Sequence, residues 1–337
     1  MADSALIERL AGGVFDPPVA FRDLATYHLD FAMLADSTPE ADLRERAERQ
    51  SGCCAVIGAS GSGKSSLIAA VAASLSSTRF PVRVQGVSDD AALTREGFAL
   101  HTARETLRAL ESPPAGRPRR HGRRRGLAGA AGAPGAGAAT HAARPPVPKP
   151  AITAEFKAQM SASAREVIEE RDTVSVAQAI EQLVDVSAEL GRRILLVVED
   201  TDVFMPPDPL DRSEDDRPRR FADHVISYLA RDFPASSLVA INARYRELIP
   251  PSTVATVAVP SLRPEAIGRL IEHYALRSGL HVTAEQVAEP EALAYAAGRY
   301  AETLDIRRTL ELLHKAARKM AGEGRGDRIT VEVLHGL

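Results

Sequence analysis

The chain has 337 residues, 45% of them apolar but only 4% aromatic, with no Trp, so one large or two smaller domains can form around a mostly aliphatic core. Its net charge is −3, yet residues 112–150 carry seven Arg, one Lys and no acid, a local +8. Subtracting that +8 from −3 leaves −11 for the remainder, which argues against a broad nucleic-acid surface on the folded part.

No apolar run approaches the roughly 20 residues of a membrane span. Met1 to Leu10, with Asp3, Glu8 and Arg9, lacks the apolar stretch of a secretion signal. A soluble cytoplasmic protein with no membrane partner is expected.

Residues 1–50 read as a helical leader. Phe21, Leu24, Leu29 and Phe31 to Leu34 are apolar, and Pro39 to Gln50 is charged and helix-prone. Cys53 to Ile57 is a short apolar run ending in glycine, which predicts a buried strand. Its two cysteines, Cys53 and Cys54, are the only ones in the chain; adjacent in sequence and without metal-ligand spacing, they read as small buried residues. From Ser65 the pattern is helical, with Leu67, Ile68, Val71 and Leu75 on one face. A strand at Pro81 to Val87 and a helix over 91–110 follow.

Ser112-Pro113-Pro114 opens a Gly-, Ala-, Pro- and Arg-rich insertion, 112–150, whose composition predicts disorder. Its cluster of Arg117, Arg119, Arg120, Arg123, Arg124 and Arg125 suits phosphate contacts, but no aromatic is interleaved for base stacking. The same composition is what GC-rich DNA encodes in almost any frame. Helices are expected at 152–170 and 174–190. Ile194 to Val198, five consecutive apolar residues, predicts a central parallel strand.

A Pro- and Asp-rich loop over 205–220 precedes a helix carrying Phe221, Val225, Tyr228 and Leu229. Leu238 to Ile241 and Val254 to Val259 are the last two strands. After Pro260 the pattern is helical, apart from a short extended end at Ile329 to Val333. Alternating strands and helices imply a parallel sheet covered on both faces. The expected organisation is a leader (1–50), an α/β core (51–260, with the basic insertion) and a C-terminal helical unit (261–337).

The strongest chemical signal is Gly58-Ala59-Ser60-Gly61-Ser62-Gly63-Lys64-Ser65, with Ser66 after it as a further residue expected to bind the phosphates. It follows a predicted strand and opens a predicted helix, the context a phosphate loop requires. Its glycines let several N–H groups point at one spot, and the helix adds its positive end. Lys64 brings a full charge to the β and γ phosphates, and the Ser65 hydroxyl suits Mg²⁺. The ligand expected is ATP with Mg²⁺.

The strand ending in Glu199, Asp200, Thr201 and Asp202 delivers three acids to the sheet edge where ligands bind in open α/β folds. Acids this close need a counter-charge, and Mg²⁺ shared with Ser65 supplies one. By position Glu199 is assigned to the metal and Asp200 to the attacking water, although the reverse fits the spacing too. Asn242, ending a strand, suits either a contact to the γ-phosphate or a turn. Arg307, near the start of a late helix with Ile306, Leu310, Leu313 and Ala317 on one face, reaches a phosphate only if that unit folds over the sheet; by spacing alone it reads as a solvated ion-pairing residue.

Together these elements resemble a AAA+ P-loop ATPase, as its Walker A loop, Walker B strand, sensor 1 and sensor 2 in that order. The likeness is greatest to the origin-recognition and replication-initiator branch, where Gly-Asp-x-Arg begins a lid helix; Leu304-Asp305-Ile306-Arg307 is similar to it. The resemblance spans about residues 50–337 outside the insertion. It implies a three-layer αβα core with a five-stranded parallel sheet, a C-terminal helical lid, ATP between them, and Arg307 as a phosphate sensor.

Walker B here reads Glu-Asp where Asp-Glu is usual, and the shorter Asp200 implies slow hydrolysis. The branch's winged helix would lie beyond Leu337, so origin binding is not implied. An arginine finger for a neighbouring subunit has three candidates, Arg231, Arg244 and Arg246. The partners that fit are a protein or, with ATP, further copies of this chain; the acidic body does not support nucleic acid. The same motifs also fit a slow nucleotide switch, a DNA-associated loader or a small-molecule kinase. The lid arginine and the sensor-like asparagine argue against the kinase.

Overall fold

A computed structural model describes residues 4–16, 20–49, 51–85, 90–111, 173–189, 191–206, 216–324 and 326–337. The expectations for 112–150, for a helix at 152–170 and for most of the 205–220 loop lie outside the described residues.

Four leader helices come first, α1 (Ser4–Arg9), α2 (Phe21–Tyr27), α3 (Phe31–Ala35) and α4 (Pro39–Glu48), with a π-helical turn at Leu10–Val14 after α1. The core then runs β1 (Gly52–Gly58), α5 (Lys64–Ser74), β2 (Arg79–Gln85), α6 (Arg95–Glu111), α7 (Thr173–Glu189), β3 (Arg193–Glu199), α8 (Arg217–Arg220), α9 (Ser227–Arg231), β4 (Ser236–Asn242) and β5 (Val254–Ala258). A π-helical stretch, Phe221–Ile226, joins α8 to α9. The C-terminal helices are α10 (Ala266–Arg277), α11 (Ala284–Val287), α12 (Pro290–Thr303), α13 (Ile306–Glu323) and α14 (Val331–His335).

The five strands form one parallel sheet in the order β2-β3-β4-β1-β5. All of β4 is buried, and β1 and β3 are buried beyond their first residues, because helices cover both faces. Successive side chains on a pleated strand point to opposite faces. Cys54 and Val56 of β1, Leu195 and Val197 of β3, and Leu238 and Ala240 of β4 therefore join one cluster. Their alternates Cys53, Ala55, Ile57, Leu196, Val198, Val239 and Ile241 join the other, with α6, α7 and the 221–233 segment. Burial pushes the Cys53 thiol up to about 12 and the Cys54 thiol up to about 11, so both are inert at neutral pH.

The first cluster does not stop at the sheet. It continues through Ile7, Leu10, Phe15 and Phe31 of the leader and Leu67 and Val71 of α5 into Leu270, Tyr274, Leu310 and Leu313 of the C-terminal helices. Leader, phosphate-loop helix and C-terminal unit thus share one core, which fixes the C-terminal helices over the sheet. No helix among the described residues is long and apolar enough to cross a membrane.

Two local expectations need correction. The segment 217–220 is helical, because a proline such as Pro218 is tolerated in a first turn. The extended end at 329–333 reduces to a single bridge, Ala288↔Ile329, after which Val331–His335 is helical and buries Leu334. Here packing overrides the strand preference of Val331 and Val333.

Leu304 joins α12 to α13 at φ 54, a left-handed conformation that side chains disfavour. It is 37% exposed, so little burial offsets that cost. Leu304→Gly should be tolerated within about 1 kcal/mol in urea unfolding. Leu304→Val should be less stable than the glycine variant by about 1–2 kcal/mol. Equal stability of the two would show that this conformation is not held in solution.

Candidate functional site at the carboxyl edge of the sheet

Parallel strands put their carboxyl ends on one edge, and the register sets Gly58 of β1 beside Asn242 of β4. The loop after β1 turns through Gly61 and Gly63, both left-handed at φ 69 and 98. Gly61 has a second constraint: a Cβ there would overlap the Asp305 carboxylate. The loop delivers Lys64 as the first residue of α5. Its ammonium donates to the carbonyls of Gly58 (3.0 Å) and Ala59 (2.6 Å). Burial pulls the Lys64 pKa down, the charges of Asp202 and Asp305 oppose that, and Arg307 adds to it.

The start of α13 is docked on this loop. Ile306 N–H donates to the Gly61 carbonyl at 3.0 Å. Asp305 caps α13 by accepting from Arg308 N–H at 3.0 Å. Arg307 is exposed at the same helix start, and its charge is felt at both Lys64 and Asp202.

Glu199 ends β3 with its side chain 1% exposed. Burial raises its pKa, and Arg83 and Ser65 pull it back. Arg83 Nε donates to Glu199 Oε2 at 2.8 Å, while Arg83 Nη2 lies 3.7 Å from Asp200. The same guanidinium sits 5.4 Å from the Phe21 ring centroid of α2. Asp200 has φ 54 and a side chain 58% exposed. The following turn, Thr201–Val203, is fixed by Thr201 Oγ donating to the Ala240 carbonyl at 2.5 Å. It carries Asp202, whose pKa burial raises and Lys64 and Arg307 lower.

The buried Asn242 forms a turn: its Oδ1 accepts from Arg244 N–H at 3.2 Å and caps a 3₁₀ helix, Ala243–Leu248. Ser66 points away from the loop, toward His28 and the Leu24 carbonyl. Arg244 and Arg246 are exposed just past the carboxyl end of β4, whereas Arg231 precedes β4 and lies toward the opposite edge.

Magnesium fits this edge by one observation. Glu199 Oε1 is buried without a hydrogen-bond partner, next to the Ser65 hydroxyl, and both are hard oxygen donors. A cavity of about 410 Å³ opens at the amino edge, lined by Arg46, Arg49, Cys54 and Thr253. No phosphate loop or acid cluster faces it, so chemistry rather than volume locates the site.

Arg83 went unread in the sequence, because alternating with buried Val82 and Val84 on an edge strand it follows the pattern of a half-exposed face, and its partner Glu199 is 116 residues away. Asp202 and Asp305 stood in the quoted motifs without a role.

The AAA ATPase domain family matches residues 41–241, more than half of the chain. A search of curated proteins finds no match. Among solved structures, the Aeropyrum pernix ORC1 protein in complex with DNA is similar at TM-score 0.50 and 18% identity, over 96% of this chain and 67% of that one. The Aeropyrum pernix ORC2 protein in its ADP form gives TM-score 0.48 and 16% identity, over 88% and 66%. Its ADPNP–ADP complexes give 0.46 and 16%, over 96% and 70%. At these identities the likeness to ORC1 is one of fold.

Breaking the Arg83–Glu199 pair leaves a buried charge alone. Arg83→Met should destabilise the fold by about 3 kcal/mol, and Arg83→Met with Glu199→Gln should recover most of that. Additive losses in urea unfolding would show that the two groups do not interact. Because burial raises Glu199 above its ordinary 4.5, protons compete with a divalent cation there from a higher pH than at an exposed glutamate. Mn²⁺ affinity measured by titration should therefore fall as pH is lowered toward 5, and Glu199→Gln should flatten that dependence.

Proposed function

The chain belongs to the AAA ATPase domain family, and from that premise we propose that it is a magnesium-dependent ATPase whose turnover drives a change of shape or assembly on a partner protein. One observation carries the reading. Lys64 and Ser65, the acids Glu199 and Asp202, and the α13 start with Arg307 meet at one edge of the sheet.

The loop N–H groups and the α5 terminus bind the phosphates, and Lys64 moves its ammonium from the loop's own carbonyls to them. Ser65 and Glu199 would hold the magnesium, with Asp200 beside them. When bound, the ion neutralises charge on the β and γ phosphates. Asp200 orients the attacking water. Asn242, beside Gly58, and Arg307, on α13, report the γ-phosphate. Hydrolysis is thereby coupled to the C-terminal helices, and through their shared core to the leader. Arg244 and Arg246 are better placed than Arg231 to serve a neighbouring copy's nucleotide.

A second reading, a slow switch that binds ATP and seldom hydrolyses it, is favoured by Asp200 itself. Its short side chain is 58% exposed and faces Arg83. DNA association is not part of the reading, because the chain outside the basic insertion carries −11.

Titration with a fluorescent ATP analogue, and steady-state phosphate release, test the proposal. Lys64→Ala should weaken binding at least about 100-fold. Asp200→Asn should keep binding and lose turnover. Asp200→Glu should raise turnover about 10-fold by restoring the missing methylene. Persisting affinity in Lys64→Ala would sink the site assignment. Unchanged turnover in Asp200→Glu would mean that the acid's length does not limit the rate.

A further inference from the structure

The loop connecting α2 to α3 lies behind the phosphate loop. His28, its side chain 5% exposed, points Nδ1 at Ser66 Oγ (3.1 Å) and Nε2 at Glu40 Oε1 (2.9 Å). The same Glu40 oxygen accepts from Phe31 N–H at 2.8 Å. Phe31 then packs its ring against the loop, 3.5 Å from where a Cβ on Gly63 would stand. The Ser66 hydroxyl, in the first turn of α5, also lies 3.4 Å from the Leu24 carbonyl, an alternative acceptor for its single proton. Burial alone would raise the Glu40 pKa, but hydrogen bonds from His28 and Phe31 bring it below the ordinary value, so the carboxylate is an acceptor at neutral pH. His28 Nε2 must therefore donate to it.

Asp30, His28 and Glu40 have ligand atoms within 4.8 Å of one another. The His28–Glu40 separation of 2.9 Å is that of a hydrogen bond, and Asp30 Oδ1 stands 4.0 Å from His28 Nε2 with its side chain 72% exposed. We read the cluster as hydrogen-bonded, with no cation.

We propose that His28 is a positioning residue for the phosphate loop: held by Glu40, it anchors Ser66 and so sets where α5 presents Lys64 and Ser65. The inference rests on the nucleotide-binding reading above and adds the leader to it. Lys64 and Ser65 stand at the loop and acid edge, whereas Ser66 faces the leader. Its hydroxyl is thus an anchor for the first turn of α5 rather than a ligand contact. A shift of about 1 Å in such a turn misdirects every donor that depends on it.

The experiment uses the full chain, titrated with a fluorescent ATP analogue in excess Mg²⁺, with phosphate release measured alongside. His28→Ala should raise the apparent KM about 10-fold while kcat changes less than about threefold. His28→Gln, which keeps a side chain able to donate to Glu40, should restore part of the affinity. Ser66→Ala should weaken binding to a similar degree, and His28→Ala with Ser66→Ala should be no worse than either alone. Thermal melting without nucleotide separates lost folding from lost positioning; if His28→Ala does not fold, Ser66→Ala with Glu40→Gln carries the test. Affinity within twofold of wild type in folded His28→Ala or Ser66→Ala overturns the proposal, as do additive losses in the double variant. A wild-type chain that binds no nucleotide would instead overturn the underlying reading of the site.

Discussion

One backbone hydrogen bond, from Ile306 N–H to the Gly61 carbonyl, joins the start of α13 to the tip of the phosphate loop. It is affordable only because of what stands at each end. Gly61 has no Cβ to strike Asp305, and Asp305 is held in place as the cap of α13. Leu304 supplies the left-handed turn that aims the helix. From the other side Phe31 closes on Gly63, and Ile306 Cδ1 lies 3.6 Å from the Cβ position at the same glycine. The loop is therefore gripped between the leader and the C-terminal helices. Whatever moves one of the three is felt by the others through a continuous apolar core.

The acid edge is built on a similar compromise. Glu199 is buried where a carboxylate is costly, and Arg83 from the neighbouring strand offsets that cost while leaving one oxygen unpaired. Arg83 thus holds one oxygen, and the other is the one the proposed magnesium would take. The Phe21 ring against Arg83 ties that ion pair to the leader.

Much of this was legible in the sequence, for physical reasons. Branched apolar runs such as Ile194 to Val198 have few alternatives to a buried parallel strand, and the glycine spacing around Lys64 has few uses but a phosphate cradle. The loop, the acid strand and the Asn242 strand meet at one edge, as alternation and handedness require, whereas the late helix reaches that edge only through its contact with Gly61. The remainder depends on contacts far apart in sequence. Arg83 and Glu199 are 116 residues apart, and His28 meets Ser66 across 38. Periodicity reports which face of an element is buried, not which polar group it meets there. Ser66 illustrates the limit: its position beside Ser65 suggested a phosphate contact, and only the packing of α2 on α5 shows the hydroxyl turned the other way. Local propensity also misled at 329–333, where Val331 and Val333 favour a strand and burial of Leu334 favours a helix.

In the proposed function the phosphate loop and the start of α13 form one nucleotide-responsive unit. Amide hydrogen exchange with and without a non-hydrolysable ATP analogue is the decisive measurement. Residues 58–66 and 304–310 should gain protection together, and both gains should vanish in Lys64→Ala. Protection of the loop with 304–310 unchanged would contradict it.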